Sequence, residues 1–173
     1  MRPAPIPWLC PVCVHVLEPG FHDCPKCGLA AAWLDLLRAF DFAIRRYALW
    51  KCQGILTPEE YSGLLTHCRK RRAALVRSAS LGEPVPADTG LPDPWRCWSC
   101  KQPRVPRTAT CPDCGVPLET EQVRILRFHA HLCNEVRVHW EAGRLSFAQW
   151  KAVMTDTPER QIELLQRLGR GTP

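Results

Sequence analysis

Apolar residues recur at helical spacing in two stretches of this chain, and a glycine-bearing turn divides each stretch. In the first, Trp33, Leu37, Phe40, Ile44 and Tyr47 alternate steps of four and three, with Leu36 and Ala43 beside them. Asp35, Arg38, Asp41 and Arg45 take the other side, where Asp41 and Arg45 form a favourable i,i+4 pair. Gly54 ends this helix region. A second helix is predicted to start at Thr57-Pro58-Glu59-Glu60, with Thr57 as cap, Pro58 at the first helical position and Glu60 closing a capping box. Its buried stripe is Tyr61, Leu64, Leu65, Cys68, Leu75 and Val76. Two helices joined by so short a turn predict an antiparallel helical hairpin.

The second stretch follows the same plan. Val123, Leu126, Ala130, Cys133, Val136 and Trp140 form a stripe, Gly143 is the turn, and Ser146-Phe147-Ala148-Gln149 is a second capping box. The segment from Gly54 to Tyr61 aligns with that from Gly143 to Trp150. Thr157-Pro158 interrupts the last helix, and a short piece with Ile162, Leu165 and Leu168 resumes after it. Helical pairs leave much apolar surface exposed when alone, which favours packing of both hairpins into one four-helix core.

Ahead of each hairpin stands a cysteine quartet. Cys10, Cys13, Cys24 and Cys27 are spaced as two CxxC pairs ten residues apart, and Cys97, Cys100, Cys111 and Cys114 repeat that spacing. Four thiolates at this spacing form a cage for one tetrahedral ion, zinc before others. The ten-residue spacers, 14–23 and 101–110, suit a small β-hairpin or an irregular loop. Proline inside the second knuckle of each quartet and glycine after it, Gly28 and Gly115, suit a tight turn with positive φ.

The predicted architecture is mainly α, with small β or irregular zinc ribbons, as two tandem units. Unit one spans 1–81, with ribbon 8–28 and hairpin 29–79. Unit two spans 95–173, with ribbon 95–115 and hairpin 119–169. Residues 82–94 carry four prolines and form a stiff linker, which either separates the units or straps them together. A unit of roughly 80 residues buries only a modest core, so metal binding supplies folding energy.

The quartets resemble the zinc ribbons, and double-zinc-ribbon proteins in particular. That likeness covers the knuckles alone, about a fifth of the chain, and leaves the helices outside it. It implies two Zn2+ per chain and says little about task, because ribbons serve transcription, translation, enzymes and adaptors. Val14 and Lys101 depart from the pattern, standing where a ribbon often has glycine after the first knuckle. Cys24-Pro-Lys-Cys27-Gly28 also looks like the rubredoxin knuckle, although rubredoxin separates its knuckles by a longer segment. A thioredoxin-like redox pair, also conceivable from CxxC, needs a solitary pair in a strand–helix setting.

The formal charge of +6 treats every thiol as neutral. Each four-thiolate zinc site contributes roughly −2, which brings the balance to about +2 and weakens the case for a strongly cationic nucleic-acid binder. Two local features keep that alternative open. Arg69, Lys70, Arg71 and Arg72 form a basic block at the level of the second helix. Lys101, Arg104 and Arg107 line the second ribbon loop beside Trp95, Arg96 and Trp98, the mixture of cations and aromatic faces that single-stranded nucleic acid uses. A solvated helix end and a tryptophan cover over the metal site are the plainer readings. His129, His131 and Cys133 could suggest another metal site, although packing is the simpler role.

No phosphate-binding Gly-rich loop, GxSxG or HExxH occurs, and four-thiolate zinc leaves no open coordination position. The chain is therefore expected to be no enzyme, with no catalytic residue and no organic cofactor. Residues 1–7 are proline-rich without an apolar core, and no run approaches the roughly 20 apolar residues of a spanning helix. The expected setting is a reducing cytoplasm, where paired CxxC motifs hold metal and not disulfides. The expected role is a protein-interaction or scaffold module, acting on a protein partner or a second copy. The alternative is a nucleic-acid-binding accessory factor.

Overall fold

The structure, a computed structural model, describes residues 8–17, 22–87, 89, 91, 96–103, 108–118 and 121–156. Trp95, Arg104, Arg107, the Thr157-Pro158 interruption and the apolar positions after it lie outside the described residues.

The protein is mainly helical, with two cysteine clusters. A short antiparallel pair, β1 (Trp8–Leu9) and β2 (Val16–Leu17), brackets the first knuckle, with Trp8 opposite Leu17 and Leu9 opposite Val16. Helix α1 covers Ala31–Cys52, α2 Pro58–Ser80 and α3 Glu121–Glu141, and helical backbone at 147–156 forms α4. Isolated bridges, Arg96 to Pro103 and Thr110 to Pro117, flank the second cluster.

Helix α1 lies at the centre. Leu36, Leu37, Ala39, Phe40, Ala43, Tyr47 and Trp50 are all buried, more than one amphipathic face can supply. Helix α2 runs antiparallel to it. Lys51 near the end of α1 lies over the ring of Tyr61 near the start of α2, and Trp33 near the start of α1 donates to the carbonyl of Glu83 just beyond α2. Residues of all four helices share one apolar cluster, including Leu132 and Val136 from α3 and Val153 from α4.

The turns form as their residues dictate. Gly54 and Gly143 both take positive φ after a helix, a conformation that costs glycine little. Thr57 Oγ1 accepts from the Glu60 N–H at 3.2 Å, while the Glu60 carboxylate accepts from the Thr57 N–H at 2.8 Å. Ser146 and Gln149 repeat this exchange at 3.2 and 2.8 Å ahead of α4.

Three expectations about helix faces are corrected, in whole or in part, by the packing. Asp35 is not on a solvent face; it is buried against α3, where Arg127 donates to it. Asp41 pairs with Arg72 of α2, not with Arg45 one turn on. The α3 stripe is only partly as expected: Val123 and Val136 are buried, but Phe128, His129, His131, Leu132, Glu135 and His139 are buried beside them, while Trp140 is exposed. Partners on α1 and α2 draw these polar side chains inward, which apolar periodicity cannot register.

The segment after α2 is tied down at separated points. Val85 packs on the core, and the Thr89 carbonyl meets His131 Nδ1 at 2.8 Å.

Candidate metal centres

The same backbone turn occurs four times. The N–H of Cys10, Cys24, Cys97 and Cys111 donates to the carbonyl five residues on, at 2.8, 2.8, 2.9 and 2.9 Å. In return the N–H four residues on donates back to the same cysteine's carbonyl, from Val14, Gly28, Lys101 and Gly115. All four of those residues have positive φ, +58° at Val14, +63° at Lys101, +74° at Gly28 and +73° at Gly115. The turn closes a loop that directs both sulfurs of a CxxC pair inward. It also explains why glycine is common after a knuckle, and marks Val14 and Lys101 as strained substitutes.

Each quartet converges, with its four sulfurs within 4.8 Å of one another. Cys10 to Cys27 and Cys13 to Cys24 are both 3.6 Å apart; Cys97 to Cys114 and Cys100 to Cys111 are both 3.7 Å apart. Zn–S bonds of about 2.3 Å give a tetrahedral S···S edge of about 3.8 Å, whereas a disulfide is about 2.05 Å. The quartets therefore have the dimensions of a four-thiolate metal site, and all eleven cysteines are free.

Electrostatics within a quartet favour a cation. Burial raises the Cys24 thiol, but the N–H groups of Cys27 and Lys26 outweigh it and bring the pKa down to about 6. The Leu29 N–H favours the thiolate of Cys27, yet desolvation and the neighbouring sulfurs push that thiol up to about 12. Cys100 behaves likewise, with the Gln102 N–H opposed by desolvation and three sulfurs, at about 12. Backbone dipoles ready one thiolate, and like-charge repulsion blocks full ionisation until a divalent ion supplies opposite charge.

The two centres sit differently. Cys10 and Cys24 belong to the main core, near Leu17, Leu29 and Trp33. Asp23, beside Cys24, accepts from the Ala31 N–H at 2.8 Å and so caps α1. Cys97 and Cys111 form a separate small cluster with Leu118, lined by Trp98, Cys100 and Val116. Trp98 is held over it by a 2.7 Å hydrogen bond from its indole N–H to the Pro117 carbonyl, the covering role that the plainer reading gave it.

Among the described residues, the basic positions are partly engaged within the fold. Arg71 donates to Glu135 and Arg72 to Asp41, so half of the 69–72 block is spent inside the fold; Arg69 and Lys70 are exposed. Lys101 turns back to the Trp98 carbonyl at 2.7 Å. His129 and His131 pack their rings on Phe42 and Phe40. A third group of metal-ligating side chains does converge, Cys68 with Glu135 and His139. Sequence reading placed Cys68 on an apolar stripe and passed over Glu135 and His139, although their i,i+4 spacing on one helix was the available signal.

No protein-family model, no curated protein and no solved structure matches this chain. No helix among the described residues is long and apolar enough to cross a membrane.

Proposed function

We propose that this chain is a non-catalytic zinc protein that acts as a protein-interaction or scaffold module. Cys10, Cys13, Cys24 and Cys27 hold one Zn2+, and Cys97, Cys100, Cys111 and Cys114 hold the other. The observation that carries the metal reading is the convergence of four sulfurs within 4.8 Å in each quartet, with two S···S distances of 3.6 Å in the first and two of 3.7 Å in the second. Four thiolates fill the coordination sphere, leaving no place for an activated water, so the ions organise loops and do no chemistry. Matching knuckles, turns and capping boxes support a duplicated plan of ribbon and hairpin, with units at 1–81 and 95–173 joined by 82–94.

The interaction reading draws on surface that the fold leaves open. Trp140, Phe147 and Trp150 form a triangular cluster, with Trp150 stacked on Trp140 at 4.8 Å and on Phe147 at 5.6 Å between ring centroids and Trp140 6.4 Å from Phe147, which is 61% exposed. Leu9, Val14 and Val16 expose a second apolar strip along the first ribbon. Rigid aromatic side chains of this kind anchor protein interfaces. The nucleic-acid alternative has weaker support, because Arg71 and Arg72 are engaged internally.

Affinity capture with wild type and with Phe147→Asp tests this reading. A protein partner or a second copy retained by wild type and lost by the variant supports it. Tight, steeply salt-dependent binding of DNA or RNA, with no protein retained, would replace it with the nucleic-acid alternative.

A further inference from the structure

A group of metal-ligating side chains distinct from the quartets lies between α2 and α3. Cys68 of α2 and Glu135 and His139 of α3 bring a sulfur, a carboxylate oxygen and an imidazole nitrogen within 4.8 Å of one another. All three side chains are buried, at 0, 1 and 0% exposure. A thiol, an acid and an imidazole are seldom gathered in a helical core, where polar groups are costly unless partnered.

The partners present leave coordination capacity unused. Arg71 donates from one nitrogen to both oxygens of Glu135, at 2.9 and 2.8 Å. A carboxylate offers about four lone-pair sites, so each oxygen keeps one. His139 Nε2 is buried and has no hydrogen-bond partner. Its Nδ1 meets Arg144 at 3.3 Å, and Arg144 is exposed. Ligation through Nε2 puts the imidazole proton on Nδ1, and Arg144 then turns to solvent.

We propose that Cys68, Glu135 and His139 form a third metal site, for a divalent ion of the zinc type. Mixed sulfur, nitrogen and oxygen donors suit this borderline ion, and hard Mg2+ or Ca2+ would not choose a thiolate. Binding forms the Sγ–metal bond and releases the Cys68 proton to solvent. Arg71 orients the Glu135 carboxylate from outside, as carboxylate ligands are commonly held. Water takes the fourth position. Burial closes the site to substrates, so its role is to clamp α2 to α3 and thereby join residues from the two halves of the chain.

The test is a metal count on the intact, zinc-loaded chain by native mass spectrometry. Wild type should carry three ions, and Cys68→Ala and His139→Gln two each, with the helical circular dichroism kept. Two ions in wild type would overturn the proposal, as would three in a folded Cys68→Ala chain. Should both variants fail to fold, Co2+ titration of wild type decides. The site predicts a third equivalent with a weaker thiolate charge-transfer band, from one sulfur and not four. Saturation at two equivalents, or three identical four-sulfur bands, would refute it. A total below two would instead count against the cysteine quartets, so the two failures are distinguishable.

Discussion

Arg71 and Glu135 join α2 to α3 through a guanidinium nitrogen that donates to both carboxylate oxygens, at 2.9 and 2.8 Å. The carboxylate is 1% exposed and the guanidinium side chain 41%. The same guanidinium lies over the Phe40 ring of α1, 5.2 Å from its centroid, so one residue touches three helices. Arg71→Ala should cost about 3 kcal/mol, the low end for breaking a buried pair, because water can reach the vacated side. With all chains carrying Cys68→Ala, so that Glu135 has no metal to hold, joint replacement of Arg71→Met with Glu135→Leu should recover most of that loss. Denaturant midpoints of the three chains check both statements.

Acid should weaken the fold through His131. Burial lowers its pKa below the ordinary 6.5; Glu135, the Thr89 carbonyl and Asp35 favour the imidazolium and Arg71 opposes it. The unfolded chain therefore binds this proton more readily than the folded one. The stability at stake is fully present above about pH 6.5 and declines as pH falls below it. His131→Gln should flatten that decline relative to wild type between about pH 7.5 and 5.5, as read by urea midpoints. Equal slopes in the two chains would show that His131 contributes nothing.

Val14 holds φ at +58° with a β-branched side chain, an arrangement that costs roughly 1–2 kcal/mol in L-residues. Val14→Gly should relieve that strain and raise the midpoint, by about 1 kcal/mol once the greater freedom of unfolded glycine is subtracted. Lys101→Gly should act in the same direction. A thermal or chemical melt that shows either variant destabilised would contradict the strain argument.

Much of the frame was legible in the residues themselves. Thr57 with Glu60, and Ser146 with Gln149, announced their helix starts, and Gly54 and Gly143 their turns, because capping and positive φ are local demands. The quartets were legible because metal chemistry dictates cysteine spacing. What stayed hidden was long-range. Asp35 looked like a solvent-facing acid and Glu135 drew no reading, until Arg127 and Arg71 arrived from other helices. The grouping of Cys68 with His139 depends on how α2 meets α3, which no local pattern encodes.

The two helix starts are linked, because the Gln149 side chain donates to the Glu60 carboxylate. Thr57→Ala and Ser146→Ala should each destabilise by about 0.5–2 kcal/mol, and the loss in the double variant should depart from their sum. Guanidinium unfolding of the single and double variants measures this directly. A double loss equal to the sum would show that the link between the caps contributes nothing.

Zinc content per chain is the most direct probe of the central claim, that each cysteine quartet seats one ion. Elemental analysis of purified Cys68→Ala protein confines the count to the quartets. Two equivalents are predicted, falling to one with Cys24→Ser added and to one with Cys111→Ser added. Fewer than two in the Cys68→Ala chain, or a count unchanged by either serine, would contradict the account.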